Sequence, residues 1–369
     1  MEVRVYRLGE RMEPKHTLWT LTGRYTERFY TPGDFELVLP LSDESSADAI
    51  VKGDIVQIDG RFWAQVENRR ISRSGGESRL RVTGRTMVAW FERRIIIPGD
   101  APPRDAPLGY DSIRAATETI IKHYATNSLA SPENMARSIN QLSIAPDMAR
   151  GIAEDACYAR FDNLMELLGR LGERANLGLR VMGNLRTGRF TLDVAEGADR
   201  TIRQRINRPL VFDISRGTLE NLEFVEDYTE TANTFYATRS GAEFEDEALT
   251  QTYYMDEEST AGLERQERHI DVSVDTDGET FEDMEYGARK EMEQYRPKIS
   301  CTASTSGLVY MPWEDYRAGD YVTIRDTMAK LDIDRQIYEL ETAVEPDTVR
   351  YKLGFGQPQL TKFEIARRA

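Results

Sequence analysis

Two stretches of this chain, about 270 residues apart, carry the same pattern in the same order. The first reads LVLP at 37–40, GDIVQI at 53–58, FWAQVENRR at 62–70 and RLRVTGR at 79–85. The second reads LVYMP at 308–312, GDYVTI at 319–324, IYELETAV at 337–344 and VRYKLGFG at 349–356. Phe35 to Gly84 spans 50 residues, and so does Gly307 to Gly356. In each, an apolar strand ending in Pro is followed by a Gly-Asp turn and three further strands. Glycine supplies the positive φ of such a turn and aspartate caps it. A chain that repeats one small β unit is suited to a ring, because internal repeats let a small closed oligomer mimic a higher rotational symmetry.

The texture around the repeat predicts a mainly β, α+β chain. Phe35, Leu37 and Leu39 alternate with Glu36 and Val38, and Asp59-Gly60 separates two apolar runs, a strong hairpin signal. With a turn at Ser74-Gly75-Gly76, the first hundred residues read as an antiparallel meander, sandwich- or barrel-like. Pro98, Pro102, Pro103 and Pro107 mark a linker. Beyond it, Ile113, Ala116, Thr117, Ile120, Ile121 and Tyr124 lie at helix-face spacing, with Asp111 or Ser112 as cap. Phe161, Leu164, Met165, Leu168 and Leu171 form a second apolar face. Strands return around Phe190, Leu192 and Val194, at Pro209-Leu210-Val211-Phe212, and at Ile270, Val272 and Val274. A third helix carries Phe281, Met284, Ala288, Met292 and Tyr295 up to Pro297, and strands follow at 299–303, 308–311, 321–324, 336–344 and 348–355.

Charge and length narrow the class. The 369 residues hold 63 acids against 48 Lys and Arg, a formal charge of −15. That length allows two or three modules, since single cores stop growing near ~250–300 residues. The 40 % hydrophobic content is too apolar for a disordered chain. No apolar run reaches the ~18–20 residues that cross a bilayer, so membrane insertion is not expected. Residues 220–294 carry 23 acids and five bases, whereas 60–94 carry nine Arg and three Glu. An acidic total argues against a general nucleic-acid binder, while the two regions of opposite sign suggest pairing between adjacent modules. Met1-Glu2-Val3-Arg4-Val5-Tyr6-Arg7 has no apolar signal core. Cys157 and Cys301 lie far apart, so buried thiols and folding in a reducing cytoplasm are expected.

Catalytic signatures are missing. The sequence has no GxxxxGK[ST], no GxGxxG after a strand, no GxSxG and no HExxH. His16, His123 and His269 are isolated, and a zinc hydrolase needs closely spaced ligands. Asp275-Thr276-Asp277-Gly278 fits a calcium loop only with Ser273 and Met284 at its first and last positions, where carboxylates belong. It reads better as a turn capping the next helix. Acid runs such as Glu243-Phe244-Glu245-Asp246-Glu247 and Asp256-Glu257-Glu258 read as solvated faces rather than a glycosidase pair. No catalytic, cofactor-binding or metal-binding residue is expected, and no cofactor.

The order of these features resembles the siphophage tail-hub family, which is similar to the hubs of contractile tails. The resemblance runs from Tyr30-Thr31-Pro32-Gly33-Asp34-Phe35-Glu36-Leu37 through Gly53-Asp54-Ile55-Val56 to Arg93-Arg94-Ile95-Ile96-Ile97-Pro98. It continues through Ile120-Ile121-Lys122-His123-Tyr124, Asn127 and Arg160-Phe161-Asp162-Asn163-Leu164. Gly197-Ala198-Asp199-Arg200-Thr201, Pro209-Leu210-Val211-Phe212 and Asn221-Leu222 complete it. It implies two tube-like antiparallel β-barrel modules with an inserted helical and mixed lateral domain. Residues 1–107 would form the first barrel, completed by strands near 205–232. The lateral domain would take 108–204, and the second barrel 233–369, with one long helix at about 279–295.

The resemblance further implies a homotrimer whose six barrels form a pseudo-sixfold ring. That ring would join the tail tube or distal tail protein to the tail tip or fibre protein, next to the tape measure protein. DNA would pass through the lumen without specific binding, and the protein would belong to the virion after assembly in the host cytoplasm. Some members carry a C-terminal peptidoglycan hydrolase; here the chain stops about ten residues after the second module, so lytic activity is expected elsewhere. Two alternatives compete. One is a glycan- or receptor-binding module at the tail tip, using Trp63, Trp90 or Trp313 over a groove. The other is a cell-wall hydrolase.

Overall fold

The computed structural model describes residues 1–20, 22–41, 48–74, 77–98, 111–239, 250–256, 260–272 and 281–356. Most of the 98–107 linker, the Gly75-Gly76 turn, the acids of 243–247 and the 275–278 turn lie outside these residues. By compactness the chain divides into two units. Within the described residues, one takes in Met1–Glu223 and 302–356; the other is Phe224–Cys301. The fold is mainly β with few helices.

The first unit is built on one long sheet. Its N-terminal strands are β1 (Glu2–Leu8), β2 (Met12–Trp19), β3 (Thr22–Arg28), β4 (Asp34–Pro40), β5 (Ile55–Ile58), β6 (Phe62–Ser74) and β7 (Glu77–Thr86). They lie in the spatial order β3-β4-β7-β6-β5-β1-β2, with antiparallel pairing throughout. Alternation in β4 sends Phe35, Leu37 and Leu39 to one face, where they meet Val3, Val5, Tyr25, Val56, Ile58, Leu80 and Val82. All four residues of β5 are buried, because Val56 and Ile58 face that core while Ile55 faces a second one.

The second core is roofed by β8 (Asp111–Ala115), α1 (Thr117–Ala125), β9 (Leu142–Ile144), β10 (Asp155–Ala159), α2 (Leu164–Ala175), β11 (Leu177–Asn184) and β12 (Arg189–Glu196). Ile120, Ile121 and Tyr124 of α1 and Leu164, Leu168 and Leu171 of α2 pack there with Tyr6 and Trp63 of the sheet. The first helix starts later than its apolar spacing suggests. Residues 111–115 pair with β10, so Ile113 lies in a strand and Ala116 is the helix cap, without a side-chain hydrogen bond. In α2, Asn163 accepts from the Met165 and Glu166 N–H groups, which places Phe161 before the helix and 45 % exposed.

Within this roof α1 carries a buried ionic knot. Glu118 is fully buried and accepts hydrogen bonds from Lys122 Nζ (2.6 Å), Arg150 Nε (2.8 Å), Arg150 Nη2 (2.8 Å) and the Arg150 N–H (2.9 Å). Burial opposes its ionisation, but the hydrogen bonds from Arg150 and Lys122 outweigh burial and lower its pKa to about 2.

The C-terminal strands of the sheet are β13 (Val211–Asp213), β14 (Asn221–Asp227), β18 (Lys298–Thr305), β19 (Tyr321–Asp326), β20 (Leu331–Glu345) and β21 (Thr348–Gly356). Their order, β14-β18-β21-β20-β19-β13, repeats the order β3-β4-β7-β6-β5-β1, except that β13 runs parallel to β19 whereas β1 runs antiparallel to β5. The repeat differs from the sequence pattern in one place. β18 takes the position of β4, so the 308–311 stretch is not a strand and sits in the β18–β19 connection. The connection corresponds to residues 41–54 in the first set. Its apolar string mimics LVLP, but Leu308 and Val309 are exposed.

Among the described residues neither set closes into a barrel. A barrel needs its last strand to return to its first, and β3, which would have to do so, instead pairs with β20 from Glu339↔Arg28 to Val344↔Gly23. The two sets are thereby spliced into one continuous open sheet. That is the departure from the expected pair of barrels.

The second unit contains β15 (Thr234–Arg239), paired antiparallel with β16 (Thr250–Tyr254) and parallel with β17 (Glu267–Val272), and α3 (Phe281–Met292). Ala288 and Met292 of the helix pack on Phe235, Ile270 and Val272, and Tyr295 stacks on Phe235 at 5.6 Å. The apolar spacing of this helix therefore marks a core.

Candidate assembly surface

The repeated Gly-Asp turns are equivalent down to single hydrogen bonds. In the first, the Gly53 N–H donates to the Val66 carbonyl (2.9 Å), and the Val66 N–H donates back to the Asp54 carbonyl (2.9 Å). The Asp54 N–H donates to the Val51 carbonyl (3.1 Å), and Asp54 Oδ2 accepts the Val51 N–H (2.9 Å). In the second, Gly319, Asp320, Ile337 and Arg317 make the same four bonds, at 2.6, 2.9, 3.2 and 3.2 Å. Gly53 and Gly319 both sit at positive φ, 89° and 102°, which an L side chain rarely adopts.

Both aspartates are buried, and each is neutralised by a cation from outside its turn. Lys15 Nζ lies 2.8 Å from Asp54 and Arg200 Nε 2.9 Å from Asp320. Asp320 Oδ1 also accepts the Ala198 N–H at 2.9 Å. The turn is legible in the sequence, but its cations are not. Lys15 and Arg200 precede their partners by 39 and 120 residues, and no local pattern announces them.

One face of the sheet holds a column pattern of charge. Arg79, Arg81 and Arg85 lie on β7, Asp34 and Glu36 on β4, Arg24 and Arg28 on β3, Glu339 and Glu341 on β20, and Arg350 and Lys352 on β21. Because residues i and i+2 share a face, these residues of each strand stand in a column of one sign, with Glu77 at the end of the β7 column the exception. Neighbouring columns then pair across the ladders. Arg81 meets Glu36 (2.9 Å), Arg28 meets Asp34 (2.7 Å) and Glu339 (2.8 Å), and Arg24 meets Glu341 (3.2 Å). Burial works against the Arg28 charge, yet Glu339 and Asp34 raise its pKa above the ordinary value. On the sheet's margin, burial opposes the Glu67 charge while Arg85 and Arg93 hold the carboxyl below its usual range.

Three arginines of 60–94 therefore face acids close by. Arg81 pairs with Glu36, Arg85 with Glu67 and Glu92, and Arg93 with Glu67. The candidate chemical residues stay apart. His16 is exposed on β2, His123 stacks on Tyr124 at 5.2 Å, and His269 on β17 contacts the Thr238 hydroxyl at 2.9 Å. Cys157 and Cys301 are buried, and burial pushes the Cys157 thiol up to about 11. Among the described residues no three His, Cys, Asp or Glu side chains come together in a group able to hold a metal ion. Trp63 and Trp90 are buried in the second core, and Trp313 stacks on Tyr25 and donates to Glu27 at 2.9 Å. None of the three forms an open aromatic platform.

The sequence matches the profile of the Siphovirus ReqiPepy6 Gp37-like protein family over residues 20–357. None of the curated proteins compared with it matches. Among solved structures, the fold is similar to the 43 kDa tail protein of prophage MuSo2 from Shewanella oneidensis, with a TM-score of 0.60 and 13 % identity. That likeness covers 97 % of this chain and 99 % of the other. It is similar to a tail protein from Neisseria meningitidis MC58, with a TM-score of 0.58, 14 % identity and 97 % of both chains covered. It is also similar to the prophage tail protein gp18 from Listeria monocytogenes EGD-e, with a TM-score of 0.55 and 11 % identity over 100 % and 98 % of the two chains.

Proposed function

The chain belongs to the Siphovirus ReqiPepy6 Gp37-like protein family of siphovirus tail proteins, and from that premise we propose that it is the hub of the tail. As a structural component of the phage virion it works through interfaces rather than through a reaction. Three copies form a ring, each supplying two strand sets in turn, so that six similar positions face a sixfold tail tube or distal tail protein. The other side of the ring meets a threefold tip or fibre protein. The tape measure protein ends at the ring, and DNA passes through it at ejection without being read.

The observation that carries this reading is the atom-level repeat of the Gly-Asp turn within two matching strand orders. A chain holding two copies of one unit converts a threefold assembly into a sixfold surface. The self-paired charge columns support free passage of DNA, because tight phosphate binding needs clustered cations that are not already neutralised. In domain terms, β1–β7 would supply the first ring position and β13, β14 and β18–β21 the second, with residues 108–204 lateral. Mass photometry of purified protein and symmetry analysis of isolated tails test the proposal. A three-chain particle with threefold symmetry is expected, and a twofold or sixfold particle in the tail would overturn it.

A further inference from the structure

The internal repeat leaves two strand edges without the neighbours that their counterparts have. Val66 and Ile337 occupy the same place in the two Gly-Asp turns, and each is followed at once by an irregularity in its ladder. Residues 68–73 of β6 therefore match 339–344 of β20. On one edge β20 carries two strands, β19 along 331–336 and β3 along 339–344. The same edge of β6 carries only β5, along 62–65. Among the described residues no strand lies beside 68–74 on that edge.

Side chains and backbone agree on this difference. Leu340 and Thr342, beside β3, are 0 % and 3 % exposed, whereas Ile71, the counterpart of Thr342, is 51 % exposed. The Phe29 N–H donates to the Tyr338 carbonyl (2.9 Å). Because antiparallel bonds alternate along a strand, Leu340, Thr342 and Val344 turn their backbone groups toward β3. Their counterparts Arg69, Ile71 and Arg73 aim the same groups at the open edge, a template for another strand.

The strand order identifies that strand. β14 holds the place in the second set that β3 holds in the first, and its far edge is unpaired among the described residues. β14 thus stands to β6 as β3 stands to β20. Within one chain six strands separate β14 from β6, so the partner is a second copy. Charge supports the same match. Residues 68–74 hold Arg69, Arg70 and Arg73 and no acid, while 220–227 hold Glu220, Glu223, Glu226 and Asp227 and no Lys or Arg. Arg70, Arg73, Glu223 and Glu226 are exposed and meet no ion-pair partner among the described residues. Pairing β6 with β6, or β14 with β14, would set like charges against each other. β2, at the other end of the sheet, has no counterpart in the second set.

We infer that β14 of one copy adds antiparallel to β6 of the next along 68–74, as β3 adds to β20 within the chain. The inference rests on the ring reading and gives it a sheet that runs on from chain to chain, with Arg70 and Arg73 near Glu223 and Glu226 at each junction. Opposite charges there speed encounter and suppress wrong partners.

Backbone and charge are tested separately on the full chain. Ile71→Pro removes an N–H aimed at the open edge and spares the β7 ladder, since proline is tolerated on an edge strand whose N–H faces outward; Ile71→Ala keeps that N–H. An edge variant, R70E/R73E, and a strand variant, E223R/E226R, carry different affinity tags, beside a chain with all four charge changes. Circular dichroism checks folding, and sedimentation velocity reads self-association. Wild type is expected to self-associate, and Ile71→Pro and each charge variant to do so at least ~10-fold more weakly. Ile71→Ala should stay closer to wild type than Ile71→Pro. The edge variant should co-purify with the strand variant, and the chain with all four changes should recover self-association.

Self-association of R70E/R73E at wild-type strength overturns the inference, as does a mixture of edge and strand variants that associates no better than either alone. Charge reversal that weakens association while folded Ile71→Pro matches wild type would show a side-chain contact without strand addition, and overturns it as well. So does a wild-type chain that stays monomeric. In each of these cases, tails that still average with threefold symmetry leave the ring standing without this junction. Tails that lack threefold symmetry remove both.

Discussion

Replacing Asp320 by alanine removes the centre of the second Gly-Asp turn. Asp320 is 2 % exposed and accepts from Arg200 Nε (2.9 Å), the Ala198 N–H (2.9 Å) and the Arg317 N–H (3.2 Å). Breaking a buried ion pair by deleting one partner costs about 3–5 kcal/mol, because the other charge stays behind. The Arg200 side chain is 23 % exposed, so water recovers part of its solvation and the lower half of that range applies. The two N–H groups add about 1 kcal/mol each where water cannot reach them. The net expectation is about 5 kcal/mol. Asp54→Ala loses Lys15 and one N–H, and should cost about 4 kcal/mol. The two turns share no partner, so the double variant should lose the sum within ~0.5 kcal/mol. Urea unfolding followed by tryptophan fluorescence measures all three, with circular dichroism confirming a folded start. Should Asp320→Ala cost under ~0.5 kcal/mol, the level of an ordinary surface change, the turn would not be the structural repeat described above.

Three further outcomes follow from the lateral elements and the thiols. Glu118, depressed to about 2 in the fold against about 4.3 in an unfolded chain, stabilises the protein above pH ~4.3. That contribution should fade as pH falls from there toward 2, and Glu118→Gln should flatten an acid-unfolding curve in that window while lowering stability at pH 7. Asn163→Ala should cost about 1 kcal/mol in urea titration through loss of the α2 cap; no change would mean that Met165 and Glu166 find other acceptors. Cys157, buried with its thiol pushed up to about 11, should resist a thiol reagent at pH 8 until the chain unfolds, and fast labelling of folded protein would contradict its burial.

Much of the fold was legible because local chemistry carries it. Gly53-Asp54 and Gly319-Asp320 announce their turns, alternation in 35–39 announces β4, and Ala288 and Met292 mark a core-facing helix. What escaped is non-local. LVYMP at 308–312 copies LVLP in sequence, but the position of β4 in the second set is filled by Lys298–Thr305, a choice made by pairing with β21. Closure failed for the same kind of reason, since nothing within 22–28 shows that β3 will pair with a strand 311 residues later, as Arg28 does with Glu339. The charge columns are visible once the register is known. Without it, Asp34, Glu36, Arg79 and Arg81 are four charges in two strands. Lys15 and Arg200 carry no sequence signal, as ion-pair partners brought in by topology.

Averaging of particles at the tail end of intact virions decides whether three chains form a ring that presents six similar positions. Threefold density for three chains of 42.2 kDa is expected, with the two Gly-Asp turns of each chain alternating at near-equal angular spacing around the axis. Six copies in true sixfold symmetry, or three copies whose two turns lie at different heights along the axis rather than in one ring, would contradict it.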